Sequence, residues 1–385
     1  MGRTNRAVVA GLLLAGVALS TGYARAQAPD LQLSTLLPIT GPYANYAVEF
    51  RLGFEIARDE INAKGGIAGR KLTLDVIDTQ SNNGQVVSLV RKACAESFAV
   101  LGPSMSNEAQ VAFPVANGMK CPAISSSAAA SGLTDRNRPW TFTYASPASV
   151  ITPQAVDLLA DKLKPKRAVV VIDRGDAAAN DQGPLAEKSL KAKGVDTQVL
   201  TVSGSDLDFG PIVTRISGLN PDFVVLSTTD KGAVGVLKEM KRTQSKAAIL
   251  ITQSAFTPLV MAAGPEALEG VYRYTEFDPT SSTDPRVQAF IETFKSRNSG
   301  RAPTQLATQT YDLLFLVKYL VEETKATGAP GALEGERDAF TKKLAALKDW
   351  KSISGPMSIV AGGYAEKPGT VLVFRGGKPE RVTAN

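Results

Sequence analysis

The chain contains no histidine among its 385 residues. This absence removes Ser-His-Asp and Cys-His nucleophilic catalysis, the commonest general base and the commonest metal ligand of proteins. The acidic residues are scattered, and no motif pairs two of them for acid–base work. The glycines form neither a phosphate-binding loop nor a dinucleotide-binding fingerprint, so no cofactor is predicted. Catalysis by carboxylates or lysines stays possible in principle, but the sequence disfavours an enzyme.

Cysteine is scarce as well, with only Cys94 and Cys121 in the chain. A metal site would need further soft ligands, which the sequence does not offer. Cys94 lies late in a predicted helix and Cys121 just before a predicted strand, so both fall near the same edge of a sheet. In an oxidising compartment a disulfide between them is reasonable. The alternative is two separate buried thiols that act as small apolar residues.

Long apolar segments are confined to the N-terminus. The first six residues carry two arginines, Ala7–Ser20 is an apolar run of 14 residues, and Ala24-Arg25-Ala26 offers a small-residue cleavage site. This order is typical of a secretory signal peptide. The run is shorter than the about 20 apolar residues that cross a bilayer. We predict a signal peptide over residues 1–26, cleaved after Ala26, with cleavage after Ala28 as the alternative, and an exported, periplasmic product.

Charge gives little support to a nucleic-acid partner. The chain has 43 basic and 37 acidic residues, a net charge of +6. Residues 1–26 contain three arginines and no acid, so their removal lowers the net charge to +3. Such a mild excess, without basic runs, does not indicate nucleic-acid binding. The residues that remain exceed what one hydrophobic core usually serves, so two lobes are expected.

Predicted strands and helices alternate along the exported part of the chain. Ala168–Ile172, Phe223–Leu226 and Ala248–Ile251 are continuous apolar runs, as expected of parallel strands that are covered on both faces. Leu185–Lys193 and Ala233–Lys241 have the pattern of helices between them. Two successive blocks of this kind predict an α/β fold with two doubly wound parallel-sheet lobes and a cleft between them.

One stretch of the sequence points to a family. Asp59–Asn82 reads DEINAKGGIAGRKLTLDVIDTQSN. A helix ends at Lys64-Gly65-Gly66, where glycine adopts the left-handed geometry that closes a helix, and Lys71–Ile77 then alternates as a strand does. This sequence resembles a signature of the solute-binding proteins of branched-chain-amino-acid-type ABC transporters.

Three further segments carry the same resemblance. Leu36–Tyr46 (LLPITGPYANY) resembles the opening strand and Gly-Pro loop of that family, and Val100–Gln110 (VLGPSMSNEAQ) resembles a loop that lines its cleft. Ile124–Leu133 (ISSSAAASGL) resembles the next such loop, which normally bears a clamp for the ligand's carboxylate. Together they cover most of the exported chain in the order and spacing that the family shows.

The resemblance implies a type I periplasmic-binding fold, in which ligand binds between two lobes that close by hinge motion. It implies crossovers near Tyr144–Pro147, Phe277–Thr280 and Ser354–Met357. Residues 30–145 and 279–355 are then predicted to form lobe 1, and residues 146–278 and 356–385 to form lobe 2. A membrane permease of an ABC importer is the implied partner, and a monomer is the implied state.

Candidate ligand contacts follow the carboxyl ends of predicted strands, where open α/β sheets bind their ligands. A carboxylate suits these loops because hydroxyls and the partial positive charge of a helix N-terminus meet there. Local capping and turn formation are the alternative explanation for such Ser and Asn residues. With the resemblance, the predicted contacts are Tyr46, Ser104, Ser106, Asn107, Ser126, Ser127, Ala129, Asn180, Thr229, Asp230 and Gln253.

The sequence departs from the amino-acid-binding pattern at three of these positions. Ala129 stands where the family typically has threonine, a tyrosine expected near Asn180 is missing, and Gln253 stands where an acid often holds the ligand's ammonium group. The expected ligand is therefore a small carboxylate, either an amino acid or an aromatic or other organic acid. Two other functions stay open: a ligand sensor for a membrane signalling receptor, and an exported serine hydrolase that uses Ser127.

Overall fold

The computed structural model describes residues 1–2, 30–203, 205–255, 257–278 and 282–383. The predicted cleavage site after Ala26 lies outside these residues. Within them, every helix is too short or too polar to cross a membrane.

The first lobe is built on a five-stranded parallel sheet. Its strands are β1 (Leu31–Leu37), β2 (Leu72–Asp78), β3 (Val100–Leu101), β4 (Ala123–Ser125) and β5 (Thr141–Thr143), and the helices between them are α1 (Ala44–Ala63), α2 (Asn83–Glu96) and α3 (Ser106–Gly118). The strand order is β2-β1-β3-β4-β5. In such an order the chain adds strands first toward one edge of the sheet and then toward the other. The switch point lies between β1 and β3, which is where doubly wound sheets bind ligands.

The second lobe repeats this plan. Its parallel strands are β6 (Arg167–Asp173), β7 (Asp196–Val202), β8 (Phe223–Ser227), β9 (Ala248–Ile251) and β10 (Val271–Thr275). The connecting helices are α4 (Ala148–Leu163), α5 (Ala177–Ala192), α6 (Gly210–Leu219), α7 (Asp230–Arg242), α8 (Pro258–Met261) and α9 (Pro265–Leu268). The strand order β7-β6-β8-β9-β10 places the switch point between β6 and β8. The predicted two-lobe α/β fold is therefore confirmed.

Three helices after β10 return to the first lobe: α10 (Pro285–Arg297), α11 (Gln305–Thr324) and α12 (Leu333–Ala345). Helix α11 lies against α1 so closely that a Cβ at Gly53 would overlap the carbonyl oxygen of Ala307. Aromatic side chains of α1 and α10, including Phe50, Phe54 and Phe290, share one buried core.

The end of the chain differs in one respect from the predicted division. A small antiparallel sheet is formed by β11 (Trp350–Ser352), β12 (Gly355–Ile359) and β13 (Ala365–Glu366). Residues 356–366 do not join the second lobe, because Met357, Ile359 and Ala365 are buried in the core of the first. Met357 and Ile359 lie on one face of β12, since side chains alternate along a strand. The third crossover therefore follows Glu366 rather than lying near Ser354–Met357.

Beyond that crossover, β14 (Thr370–Arg375) pairs antiparallel with β10, and β15 (Lys378–Arg381) pairs antiparallel with β14. Both strands extend the sheet of the second lobe. The lobes are thus joined by three connections: from β5 to α4, from β10 to α10, and from β13 to β14.

The two cysteines are joined in a disulfide. Cys94 lies near the end of α2 and Cys121 just before β4, and their Cα atoms are 5.7 Å apart. Both residues are buried in the cluster that packs α2 and α3 on the first sheet.

Candidate functional site

The candidate site lies between the lobes, where loops after the first sheet contact loops after the second. Hydrogen bonds cross this cleft from α1 to the segment after β9 and from α3 to the loop after β6. The loops follow the carboxyl ends of the strands in both lobes, the position that doubly wound folds use for ligands.

Tyr46 spans the cleft from the first turn of α1. Its hydroxyl donates to the carbonyl oxygen of Ser254, at 2.9 Å, and accepts from the backbone N–H of Asp230, at 3.2 Å. Burial, together with the negative charge of Asp230, raises the pKa of Tyr46 well above its usual value. The phenol is therefore neutral, and the second lobe occupies both hydrogen-bonding roles of its hydroxyl, which leaves the ring as the part that can contact a ligand.

Asn107 also joins the two lobes. Its Nδ2 donates to the hydroxyl of Tyr43, at 2.9 Å, and to the carbonyl oxygen of Gly175, at 3.2 Å. Its Oδ1 accepts from the backbone N–H of Ala177 at the start of α5, at 2.5 Å. The amide is thus engaged at both ends with protein groups.

A second pair of contacts lies beside Asn107. The backbone N–H and the hydroxyl of Ser131 both donate to Oδ2 of Asp181, each at 2.8 Å. The hydroxyl of Tyr43 donates to Oδ2 of Asp176 at 3.3 Å. We refer to the bonds made across the cleft by Tyr43, Tyr46, Asn107 and Ser131 as the interlobe contacts.

The predicted serine contacts of the first lobe fall into two groups. The hydroxyls of Ser104 and Ser126 lie 2.9 Å apart, and the two residues are 2% and 1% exposed. Because one hydroxyl donates to the other, one proton of the pair remains for a further acceptor. Ser106, the first residue of α3, accepts from the backbone N–H of Ala130 at 3.3 Å. Ser127 is half-buried beside the pair.

The first turn of α3 holds a carboxyl group that is only partly ionised near neutral pH. Glu108 is fully buried there, and its Oε1 accepts from the hydroxyl of Thr79. Burial raises the pKa of Glu108 to about 7. The N–H groups at the N-terminus of the helix present partial positive charge, which favours an anionic group.

Ala129 connects the serine loop to the second lobe. It is 3% exposed, and its carbonyl oxygen accepts from the backbone N–H of Ala148 at the start of α4, at 2.7 Å. Its side chain offers only a methyl group. The structure thus places Ala129 beside the first crossover.

Thr229 and Asp230 stand where β8 ends and α7 begins. The hydroxyl of Thr229 donates to Oδ2 of Asp173 at 3.4 Å. Asp230 accepts from the backbone N–H of Lys231 at Oδ1, at 2.8 Å, and from the hydroxyl of Thr257 at Oδ2, at 2.9 Å. Burial raises the pKa of Asp230. Both of its oxygens thus accept hydrogen bonds within the second lobe, and the side chain of Asn45 on α1 bonds Asp230 from the first lobe.

Asn180 lies at the rim of the cleft. It is exposed on the first turn of α5, and its Oδ1 accepts from a guanidinium N–H of Arg174 at 3.0 Å. It borders a cavity of about 470 Å³ that Asn107, Ser131 and Asp181 also line.

Gln253 lies in a short 3-10 helix, Gln253–Ala255, directly after β9. Its side chain is 8% exposed, and neither amide atom has a hydrogen-bond partner among the described residues. The next residue, Ser254, bonds Tyr46 across the cleft. Gln253 therefore stands at the contact between the lobes with its polar atoms still to be satisfied.

A second glutamine was not among the predicted contacts. Gln182 is 1% exposed on α5, and its Oε1 accepts from the hydroxyl of Ser254 at 3.2 Å, while its Nε2 has no partner in the described part of the chain. Ala179, Gln182 and Ala186 are spaced as the buried face of a helix. A polar residue on that buried face is the sequence signal by which Gln182 could have been predicted as a site residue.

A buried ion pair joins two of the three connections between the lobes, which we together call the hinge. Nζ of Lys367 lies 2.9 Å from the carboxylate of Glu276, and both side chains are 1% exposed. Glu276 also accepts from the backbone N–H of Ser146, on the remaining crossover, and from Nε2 of Gln309, each at 3.2 Å. Lys367 stands over the ring of Tyr144, 4.1 Å from its centre. One carboxylate thus contacts all three connections between the lobes.

A second cavity, of about 200 Å³, opens between Tyr43, Asp173, Asp176 and Thr229. Asp230 also lines this cavity, and Gly175 borders both it and the cavity beside Asn180. In the described ranges, no three His, Cys, Asp or Glu side chains are placed to hold a metal ion.

The chain is similar to solute receptors of known structure or family. It is 27% identical over 301 residues to the Leu/Ile/Val-binding protein homolog 7 of Brucella abortus (strain 2308), covering 74% of this chain and 75% of that protein. The leucine-binding protein LivK of Thermotoga maritima MSB8 superposes with a TM-score of 0.83 at 19% identity, over 92% of this chain and 98% of LivK. A solute-binding protein from R. palustris in complex with benzoate gives a TM-score of 0.81 at 22% identity, over 92% and 95% of the two chains.

A model of one protein family, described as periplasmic binding protein, matches residues 31–377. This match spans both lobes and the three crossovers, and it includes all the segments that carried the resemblance. The resemblance is therefore confirmed, and the chain belongs to the periplasmic binding protein family.

Proposed function

We propose that this protein is a periplasmic receptor that binds a small carboxylate between its lobes and delivers it to an ABC importer. The observation that carries the proposal is the buried Ser104–Ser126 hydroxyl pair beside the N-terminus of α3. A hydroxyl proton and free backbone N–H groups at a helix N-terminus are suited to an anionic oxygen. Family membership and the predicted signal peptide support the periplasmic location.

The predicted contacts take different roles in this proposal. Ser104, Ser126 and Ser127 hold the carboxylate, with Ser106 at the start of α3 beside them. The ring of Tyr46 forms a wall, and Gln253 faces the ligand from the second lobe. Asn107 stabilises the closed form through the interlobe contacts, since its amide is already bonded to the second lobe.

The related proteins support binding rather than catalysis. The Brucella relative is called a Leu/Ile/Val-binding protein, LivK a leucine-binding protein, and the R. palustris protein holds benzoate. An α-amino acid and an aromatic acid share a carboxylate, which is the group that we propose the first lobe binds. Both classes are therefore candidates for its ligand.

Ligand binding is tested by calorimetry and thermal shift with branched-chain amino acids, aromatic acids and short organic acids. A carboxylate at 100 times its dissociation constant stabilises the folded form by about 2.7 kcal/mol. Native mass spectrometry of the freshly purified protein would identify a ligand that is retained. If no carboxylate binds or co-purifies, the proposal is wrong.

The serine pair is tested by S104A and S126A. Each substitution removes a hydroxyl that the bound carboxylate needs, and a hydrogen bond to a charged group contributes about 1.5–3 kcal/mol, so affinity falls by about 10-fold or more. S88A is the matched control, because Ser88 is exposed on α2 and bonds only its own helix. Equal affinities of S126A, S104A and S88A would contradict the assignment.

Delivery to an importer is tested separately from binding. Vesicles that contain the cognate permease and ATPase should take up labelled ligand only when the receptor is added. A receptor that binds its ligand but drives no uptake, and instead raises the activity of a membrane kinase, would show that it serves as a sensor.

A further inference from the structure

Two glutamines give the second lobe an uncharged polar surface at the cleft. Gln253 and Gln182 are 8% and 1% exposed, and they flank Ser254, whose carbonyl oxygen bonds Tyr46 of the first lobe. Both amide atoms of Gln253 and Nε2 of Gln182 lack partners among the residues that the structure describes. Buried amide groups without partners destabilise a protein, so these three atoms need hydrogen-bond partners that a ligand can supply.

The carboxylates of the second lobe near the cleft already accept hydrogen bonds. Asp173 accepts from Gly175 and Thr229. Asp176 accepts from Ala179 and from Tyr43 of the first lobe. Asp230 accepts hydrogen bonds at both oxygens, from Lys231 and from Thr257. Glu276 is paired with Lys367 at the hinge. An ammonium group entering the cleft would therefore bind oxygens that already accept hydrogen bonds, whereas the Nε2 atoms of the two glutamines would still lack an acceptor.

The buried glutamates of the first lobe face their own lobe as well. Glu49, three residues beyond Tyr46 on α1, accepts from both the backbone N–H and the hydroxyl of Thr304 at the start of α11. Glu108 is bonded to Thr79. Both are fully buried within the first lobe.

The numbers of hydrogen-bond donors and acceptors distinguish the chemical groups that a ligand could place here. The Nε2 atoms of Gln182 and Gln253 are donors and need an acceptor. An ammonium group has three donors and no acceptor, so it would leave both Nε2 atoms unpaired. A hydroxyl group can donate to Oε1 of Gln253 and accept from Nε2 of Gln182. A carbonyl group can accept from Nε2 of either glutamine.

We infer that the ligand of this cleft is a carboxylate that also carries an uncharged hydrogen-bond acceptor, such as a hydroxyl or carbonyl group, which Gln253 and Gln182 bind. The inference rests on the proposed carboxylate-binding function and narrows its ligand class. It predicts that an α-amino acid binds more weakly than the acid in which a hydroxyl group replaces the ammonium group.

Two series of compounds test the inference, each differing at a single group. The first compares L-leucine, 2-hydroxy-4-methylpentanoate and 2,4-dimethylpentanoate, which carry ammonium, hydroxyl and methyl at the second carbon. The second compares 4-(aminomethyl)-, 4-(hydroxymethyl)- and 4-ethylbenzoate, which place the same three groups away from the carboxylate. Calorimetry on the exported form of the protein measures each affinity. In at least one series, the hydroxyl compound should bind about tenfold or more tightly than both of its partners.

Substitution of Gln253 tests the residue itself. Q253E introduces a carboxylate where the amide stands, so the ratio of hydroxyl to ammonium affinity should fall by about tenfold or more, toward the ammonium compound. Q198E is the matched control, because Gln198 is exposed on β7 of the same lobe, and its ratio should equal that of the parent protein. Q253M is the second variant if Q253E does not fold. It keeps the chain length without the amide, and it should erase the preference for hydroxyl over methyl.

The outcomes separate this inference from the proposed function. An ammonium compound that binds as well as its hydroxyl analogue in both series would overturn the inference and leave carboxylate binding intact. Equal binding of the methyl and hydroxyl compounds in both series would also overturn it, as would a Q253M protein with an unchanged preference. Failure of every carboxylate in both series to bind would instead contradict the carboxylate-receptor function.

Discussion

The Glu276–Lys367 pair offers a stringent test of how the hinge is held together. In K367M the carboxylate of Glu276 keeps the hydrogen bonds from Ser146 and Gln309 but loses its cation. Removing one partner of a buried ion pair costs about 3–5 kcal/mol, because the remaining charge stays buried without compensation. The loss of the cation above Tyr144 adds to that cost. We expect K367M to lower the free energy of unfolding by about 3 kcal/mol or more.

Urea unfolding at neutral pH, followed by circular dichroism, measures the effect for K367M, E276Q and the double variant. E276Q leaves the ammonium group of Lys367 uncompensated, so it is also destabilising. The double variant removes both charges, and it should be more stable than the sum of the single losses by about 2 kcal/mol or more. Additive losses would show that the two side chains do not interact.

An exposed pair provides the control. Nζ of Lys193 lies 2.7 Å from the carboxylate of Asp161, but the two side chains are 35% and 65% exposed. Solvent screens such a pair, so K193M should leave the unfolding midpoint unchanged within error. If K367M and K193M behave alike, the reasoning from burial is refuted.

Three further predictions concern stability, each measured by urea unfolding. G53A should destabilise the protein by about 1–3 kcal/mol, because the new methyl group overlaps the backbone of α11. G335A in α12 should instead stabilise it by about 0.5–1 kcal/mol, because a Cβ there meets no atom within 4 Å. A stability change of the same sign in both variants would contradict the packing argument. Reduction of Cys94–Cys121, which are 27 positions apart, should cost about 3–4 kcal/mol, and an unchanged midpoint in dithiothreitol would refute this. Burial raises the pKa of Glu49 from 4.5 to about 7, so between these pH values the folded chain holds a proton that the unfolded chain has lost. The free energy of unfolding should therefore fall as pH rises through this window, and E49Q should remove about 3 kcal/mol of that fall. Parallel pH profiles of the free energy of unfolding for E49Q and the parent protein would contradict this prediction.

Much of the fold could be predicted from local patterns. Continuous apolar runs such as Ala168–Ile172 and Phe223–Leu226 lie inside β6 and β8, because a strand covered on both faces needs apolar side chains at every position. The Gly65-Gly66 stop also lies at the end of α1, where both glycines have positive φ. These signals come from neighbouring residues, so the sequence carries them without tertiary context.

The division of the C-terminal segment could not be predicted in the same way. The pattern of β12 shows that Met357 and Ile359 share a buried face, but not which core receives it. Packing on the first lobe decides that question, because the side chains fill space left by α11 and α12. The third crossover therefore lies after Glu366, later than predicted.

The site shows the same limit at the level of single atoms. The sequence alone determined that serines, an asparagine and Tyr46 would gather beyond the strand ends, because strand–loop–helix order places them there. Only the tertiary structure decided which of their polar atoms are already bonded: Asn107 meets Gly175 and Tyr46 meets Ser254, segments far apart in the chain. Periodicity and turn chemistry are properties of adjacent residues, whereas hydrogen-bond partners across a cleft depend on how distant segments pack.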